Sequence, residues 1–181
     1  MNPSPYGVPS GESPRPSPTI QPVTERANPD ELTLAQVMLP EDANPRGNVH
    51  GGTLMKLADT AGGVCATRHT RKRVVTVVMD SMTFEQPAYV GDLVVVHAQV
   101  TWTGRTSIET EVNIRAENAL TGEVRQISTA YFVYVALDEH GRPSPVQPLK
   151  VTTAEQRRKW AAAEDRRTRR MQHRLEAAPT A

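Results

Sequence analysis

The sequence predicts an α+β domain, one helix packed on an antiparallel sheet. Two observations predict it. A single stretch with apolar residues at helical spacing lies in the first half of the chain. After it the period changes to two, in four successive strand-like runs whose glycine-containing breaks read as hairpin connections.

The elements follow in order. Leu32–Leu39 alternates apolar and polar residues as a strand and is ended by Pro40. Residues 40–50, rich in turn formers, are a loop. Gly51 and Gly52 precede a helix that begins near Thr53 and ends near His69. On a helical wheel Leu54, Leu57, Ala58, Ala61, Val64 and Cys65 form the stripe that packs on the sheet. Lys56, Asp59, Thr60, Gly63 and Thr67 occupy the other side, with Met55, Gly62 and Ala66 at its margin. Arg68, Arg71, Lys72 and Arg73 follow, where the helix dipole favours positive charge. Val74–Phe84, Leu93–Trp102 and Ile108–Arg115 are strands; Val124–Leu137, apolar on both faces towards its end, is a central one.

The ends differ from this core. Eight of the 15 prolines fall within the first 30 residues, with serine and glycine between them. Such a segment cannot bury enough apolar surface to order itself, so residues 1–30 are a disordered arm. The domain occupies 31–137, and 138–181 is a proline-containing linker with a charged helix over Thr153–Glu176. That helix carries eight basic and four acidic residues and no sustained apolar stripe. It reads as a solvated or frayed helix, with a basic arm for a polyanion as the sharper alternative.

Composition excludes several functions. At 181 residues the chain holds about one domain on the ~150-residue prior. A net charge of +1 gives no global field for nucleic acid or membrane, and no nucleic-acid motif or membrane-length apolar run appears. One cysteine, Cys65, excludes an intramolecular disulfide framework and a multi-cysteine zinc site, and no metal site is expected. Without an apolar leader core, the cytoplasm is the expected location. The nucleophile elbow, the phosphate-binding loops and the His-Glu-x-x-His zinc motif are all missing.

What remains for chemistry is the loop from Asn44 to Gly52 running into the helix that carries Asp59. Two glycines at a helix start allow close approach of a ligand, and their N–H groups, aided by the dipole, hold a carbonyl oxygen as it becomes an oxyanion. A carboxylate beside such a hole suffices to activate water, or to attack directly, at a thioester. The plainer readings stand beside this. Asp59 has Lys56 three residues away as an ion partner, Asn44 before Pro45 is a turn former, and His50 is a loop hydrogen-bonder or a general base. Cys65, on the apolar stripe, is a packed thiol rather than a nucleophile.

Met38-Leu39-Pro40-Glu41-Asp42-Ala43-Asn44 and His50-Gly51-Gly52-Thr53-Leu54-Met55-Lys56-Leu57-Ala58-Asp59 together resemble the signature of hot-dog-fold acyl-CoA thioesterases, more narrowly the cytosolic acyl-CoA hydrolase group. Thr67-Arg68-His69, Val75-Thr76, Asp80, Phe84, Pro87, Gly91-Asp92 and Gly104-Arg105-Thr106-Ser107 extend the resemblance over about 31–137. It implies a long central helix wrapped by a curved antiparallel sheet. It also implies a homodimer joined through sheet edges with active sites in the interface, and a trimer of such dimers, a hexamer. The catalytic pair it implies, a helix carboxylate and a loop asparagine from different protomers, falls on Asp59 and Asn44, with Gly51 and Gly52 at the oxyanion. The implied reaction is hydrolysis of acyl-CoA to free CoA and a fatty acid, with no cofactor, since coenzyme A is part of the substrate. For coenzyme A, Arg105, Thr106 and Ser107 offer a cation, hydroxyls and turn amides, with His50 nearby in sequence to Gly51. Arg68, Arg71, Lys72 and Arg73 suit nucleotide phosphates. The alternative is a non-catalytic acyl-CoA-binding or sensing module with the same cleft.

Overall fold

A computed structural model describes residues 28–176, so residues 1–27 of the expected arm lie outside the described residues. The elements are β1 (Glu31–Val37), a single 3-10 turn at Pro40–Asp42, α1 (Gly51–Thr70), β2 (Arg73–Phe84), β3 (Asp92–Thr103), β4 (Ser107–Asn118), β5 (Val124–Leu137) and α2 (Ala154–Glu176). The strands form one antiparallel sheet in the order β1-β3-β4-β5-β2. Helix α1 touches all five strands. A helix ~10 Å wide can meet five strands spaced ~4.8 Å apart only if the sheet curls around it. Register shifts in β2/β5, β3/β4 and β4/β5 mark where the strands bend. The α+β class and the wrapped central helix are as the sequence indicates.

The core lies between α1 and the inner sheet face. Val94, Val96 and Ala98 of β3, Ile108, Val112 and Ile114 of β4, and Ala130, Phe132 and Tyr134 of β5 close on Leu54, Ala58, Ala61 and Cys65. Because the sheet wraps, more than half of the circumference of α1 is buried. The expected stripe is therefore corrected at one flank: Val64 is 44% exposed, whereas Gly62 and Ala66 are buried. Gly51 and Gly52 lie inside the first turn of α1 rather than before it. Asn28 and Asp30 are tied to the far end of α1, where Arg68 donates to the Asn28 carbonyl at 2.8 Å and Asp30 meets His69 Nδ1 at 2.6 Å.

The solvated reading of the C-terminal helix is also corrected. Helix α2 lies on the outer sheet face, with Ala163 buried and Trp160 against Trp102, ring centroids 6.1 Å apart. Its packing stripe is Lys159, Ala163, Arg166 and Arg170, a helical spacing whose contacts are ionic. Arg166 and Arg170 reach Glu109, which is 0% exposed, Arg170 also reaches Asp80, and Lys159 reaches Glu111. A search for apolar periodicity does not find such a face. Three of the basic residues that would have formed a polyanion arm are thus turned inward.

Candidate active site on helix α1

Asp59 sits at the margin of the buried arc of α1, half-buried. Thr76 Oγ1, on β2, donates to Asp59 Oδ1 at 2.7 Å. Tyr134 Oη, on β5, donates to the Asp59 carbonyl at 3.1 Å and lies 3.4 Å from Oδ1. Among the described residues, Asp59 Oδ2 has no hydrogen-bond partner and Asp59 forms no ion pair, so the Lys56 pairing is not made. One carboxylate oxygen is held and the other is left for a reactant. Burial, and then the Asp59 charge, push the Tyr134 hydroxyl well above the ordinary tyrosine range, so it stays a donor.

The start of α1 forms the second part of the site. His50 is its N-cap and accepts from Gly52 N–H through Nδ1 at 3.0 Å, which leaves Gly51 N–H without a partner among the described residues. Gly52 therefore donates to His50 here, and Gly51 is the open amide. A Cβ on Gly51 would stand 3.5 Å from the Phe84 ring, which bounds this end of the helix. Asn44 is held in a tight loop: its N–H donates to Asn48 O at 2.7 Å and its Oδ1 accepts from Arg46 N–H at 2.8 Å. The turn-forming role is real, and it leaves the Asn44 Nδ2 donors unpaired among the described residues. Asn44, Gly51, Leu54 and Phe84 line a hollow of about 340 Å³.

The residues considered for coenzyme A are more scattered. Thr106 and Ser107 line a hollow of about 300 Å³ between β2, β5 and α2, and Arg105 is exposed beside them. Gly104 has no room for a side chain, since a Cβ would come within 2.5 Å of the Trp102 ring. Arg68 binds Asn28 O, Lys72 binds Ser144 Oγ and Pro145 O, and Arg73 binds Glu139 O, so these cations already hold flanking segments. Arg71 ends α1 in the left-handed conformation, φ 55°. Cys65 is buried with its thiol toward the Asp30 and Ala98 carbonyls, and burial pushes it up to about 12, as befits a packed thiol. Among the described residues there is no group of three or more His, Cys, Asp or Glu side chains placed to hold a metal ion.

Asn44 shares its hollow with Gly51 at the start of α1, and Asp59 is not among the residues that line it. Asp59 lies eight residues along α1 from Gly51, a rise of roughly 12 Å, far beyond reach of one reacting carbonyl. Sequence reasoning missed Thr76 and Tyr134 as site residues. For Thr76 the available signal was its place in the resemblance, as Val75-Thr76; for Tyr134 it was alternation in the long β5 run, which sets it on the same face as Ala130 and Phe132.

Residues 46–123 match the model of the thioesterase superfamily. The protein YkhA of Bacillus subtilis, described as an uncharacterized acyl-CoA thioester hydrolase, is 33% identical over 135 residues, 75% of this chain and 78% of that protein. A solved hexameric acyl-CoA thioesterase in its apo form superposes with a TM-score of 0.76 at 34% identity, over 79% of this chain and 92% of that one. An acyl-CoA hydrolase from Staphylococcus aureus, solved with butyryl coenzyme A, gives a TM-score of 0.75 at 28% identity, over 81% of this chain and 90% of that one. Alanine variants of that hydrolase have been solved at an asparagine, an aspartate and a threonine. These are 15 and 17 positions apart in order, the same spacing as Asn44, Asp59 and Thr76 here.

Proposed function

The chain belongs to the thioesterase superfamily, and we propose that it hydrolyses acyl-CoA to free CoA and a fatty acid with the Asp59 carboxylate, in a site that two chains build together. It is an acyl-CoA thioester hydrolase; the division of labour among its residues is the proposal. The observation that carries it is the asymmetry of the Asp59 carboxylate, with Oδ1 gripped by Thr76 and Oδ2 without a partner among the described residues. Oδ2 takes a proton from water as the water oxygen adds to the thioester carbon. The carbonyl oxygen becomes an oxyanion at the Gly51 N–H, in the field of the α1 dipole, with the Asn44 amide orienting the carbonyl. Collapse of the tetrahedral intermediate expels the CoA sulfur, which receives the proton. Carboxylate, water and amides complete this chemistry without a metal or cofactor, and coenzyme A enters only as part of the substrate.

Roughly 12 Å of helix separates Asp59 from Gly51 of the same chain. That separation supports assigning the two halves to different copies, Asp59 of one facing Asn44 and Gly51 of the other. Strand β2 supports this arrangement. It is a 12-residue edge strand with Val75, Val77 and Met79 exposed at 43%, 46% and 41%. An open edge of that length and composition is completed by another strand. A second copy pairing there joins two sheets and brings its own α1 towards the side of this helix that carries Asp59, which β2 already touches through Thr76. Solved relatives are hexamers, and we place three such dimers in the assembly.

Arg105, Thr106 and Ser107, with His50, are assigned to the pantetheine and phosphate portions of the substrate. Arg68 and Arg73 are assigned to the nucleotide phosphates, since each spends one of five guanidinium donors on its carbonyl. No described helix is long and apolar enough to cross a membrane, and the buried free thiol fits the cytoplasm, where we place the activity. The test is thiol release from acyl-CoAs of two carbons to long chains. Wild type is expected to turn over, and Asp59→Asn to lose turnover while binding CoA within about twofold of wild type. An Asp59→Asn variant of near-normal rate would overturn the assignment.

A further inference from the structure

We infer that Tyr134 is a positioning residue for Asp59, acting through its hydroxyl, and that position 62 is glycine to make room for that hydroxyl. The inference rests on the reading of Asp59 as the reacting carboxylate.

Tyr134 is 1% exposed and stacks near Phe132 on the inner face of β5. For packing alone a phenylalanine would serve, because a buried hydroxyl must find a partner. The partner is Asp59, by its carbonyl at 3.1 Å and its Oδ1 at 3.4 Å. Helix α1 gives up a side chain to admit it. A Cβ at Gly62 would overlap Tyr134 Oη and lie 2.8 Å from Thr110 Oγ1. A mid-helix glycine is unfavourable relative to alanine, so the space has to be worth keeping.

The hydroxyl has one proton and two acceptors. A mid-helix carbonyl already accepts from the amide four residues on, so the Tyr134 proton is free to serve the carboxylate when that carries charge. Thr110 Oγ1, buried and without a partner among the described residues, faces the same space and is placed to donate to the Tyr134 oxygen. Thr76 and Tyr134 then approach the same oxygen, Oδ1, from two strands, β2 and β5. Their joint effect is to fix the plane of the carboxylate and to keep Oδ2 outside the protein's own hydrogen-bond network.

The experiment compares Tyr134→Phe, Gly62→Ala, the double variant and Asp59→Asn, with kcat and KM on one acyl-CoA and thermal melts of each. Tyr134→Phe keeps the ring and is expected to lower kcat about tenfold with KM changed less than twofold. Gly62→Ala, whose methyl displaces the hydroxyl, is expected to lower kcat similarly and also to lower Tm. In the double variant the clash with the Tyr134 oxygen is gone while the contact with Thr110 Oγ1 stays, so Tm recovers in part and kcat falls no further than in either single variant. Tyr134→Phe within twofold of the wild-type kcat, while Asp59→Asn is dead, would overturn the inference alone. So would kcat, KM and Tm all worsening together in Tyr134→Phe, the mark of a purely structural role. If Asp59→Asn retains its rate, the catalytic assignment itself fails, and the Tyr134 role fails with it.

Discussion

Thr76 Oγ1 and Asp59 Oδ1 are joined by a 2.7 Å hydrogen bond that crosses from an edge strand to the central helix. It fixes one oxygen of a half-buried carboxylate and so decides which oxygen meets the reactant. Thr76→Val preserves shape and removes the donor. A hydrogen bond to a charged group contributes about 1.5 kcal/mol, and kcat is expected to fall roughly tenfold with KM little changed. Steady-state kinetics on a single acyl-CoA checks this. A Thr76→Val enzyme with unaltered kcat would show that Asp59 orients without it.

Cys65 is expected to be silent. It is buried in the α1–sheet core, and burial holds its thiol up to about 12, so almost no thiolate exists near neutral pH. Incubation of the native protein with a thiol-specific chromogenic reagent should titrate no protein sulfhydryl until denaturant is added. Cys65→Ala should keep kcat within about twofold, at some cost in stability from the missing sulfur. Rapid native labelling would show that this part of the core opens.

Helix α2 should loosen in acid. Burial alone would raise the Glu111 carboxyl, but the hydrogen bond and charge of Lys159, with Asn113 and Tyr131 donating as well, hold it below its ordinary 4.5. A carboxylate depressed by folding contributes stability above 4.5, and that stability is lost as the pH falls through the lower, folded value. Lys159→Met is therefore expected to lower Tm by a few degrees at pH 7, the effect of about 1 kcal/mol in a chain of this size. Near pH 3 the difference should shrink. Melts of both proteins across that range check it, and a constant difference would exclude the ionic origin.

Much of this architecture was legible in the sequence, and the exceptions share a cause. Period-two runs found all five strands within a few residues, because the inner face of each strand is apolar, even where β5 is apolar on both faces and β2 exposes Val75, Val77 and Met79. The docking of α2 was hidden because its inward stripe is Lys159, Arg166 and Arg170, whose partners Glu109 and Glu111 look like the solvent face of β4. Val64 was misplaced because the wheel assumes a flat support, whereas this sheet curls and buries the opposite flank at Gly62 and Ala66. In the candidate site, Asp59, Asn44 and the two glycines stood out by their place in the loop and helix. Thr76 and Tyr134 did not, since nothing local distinguishes a threonine or tyrosine in a strand from its neighbours. His50 accepting from Gly52 N–H was equally out of reach, because it depends on one rotamer at the helix start.

The sharing of one site between two chains is tested most directly by complementation. Asp59→Asn and Asn44→Ala are each expected to be nearly inactive alone. Co-expressed in equal amounts, half of the dimers are mixed, and each mixed dimer carries one site with both groups intact, so activity should return to about a quarter of wild type. If Asp59 and Asn44 served a site within one chain, no mixed dimer would hold an intact pair, and the co-expressed protein would be no more active than its inactive parents.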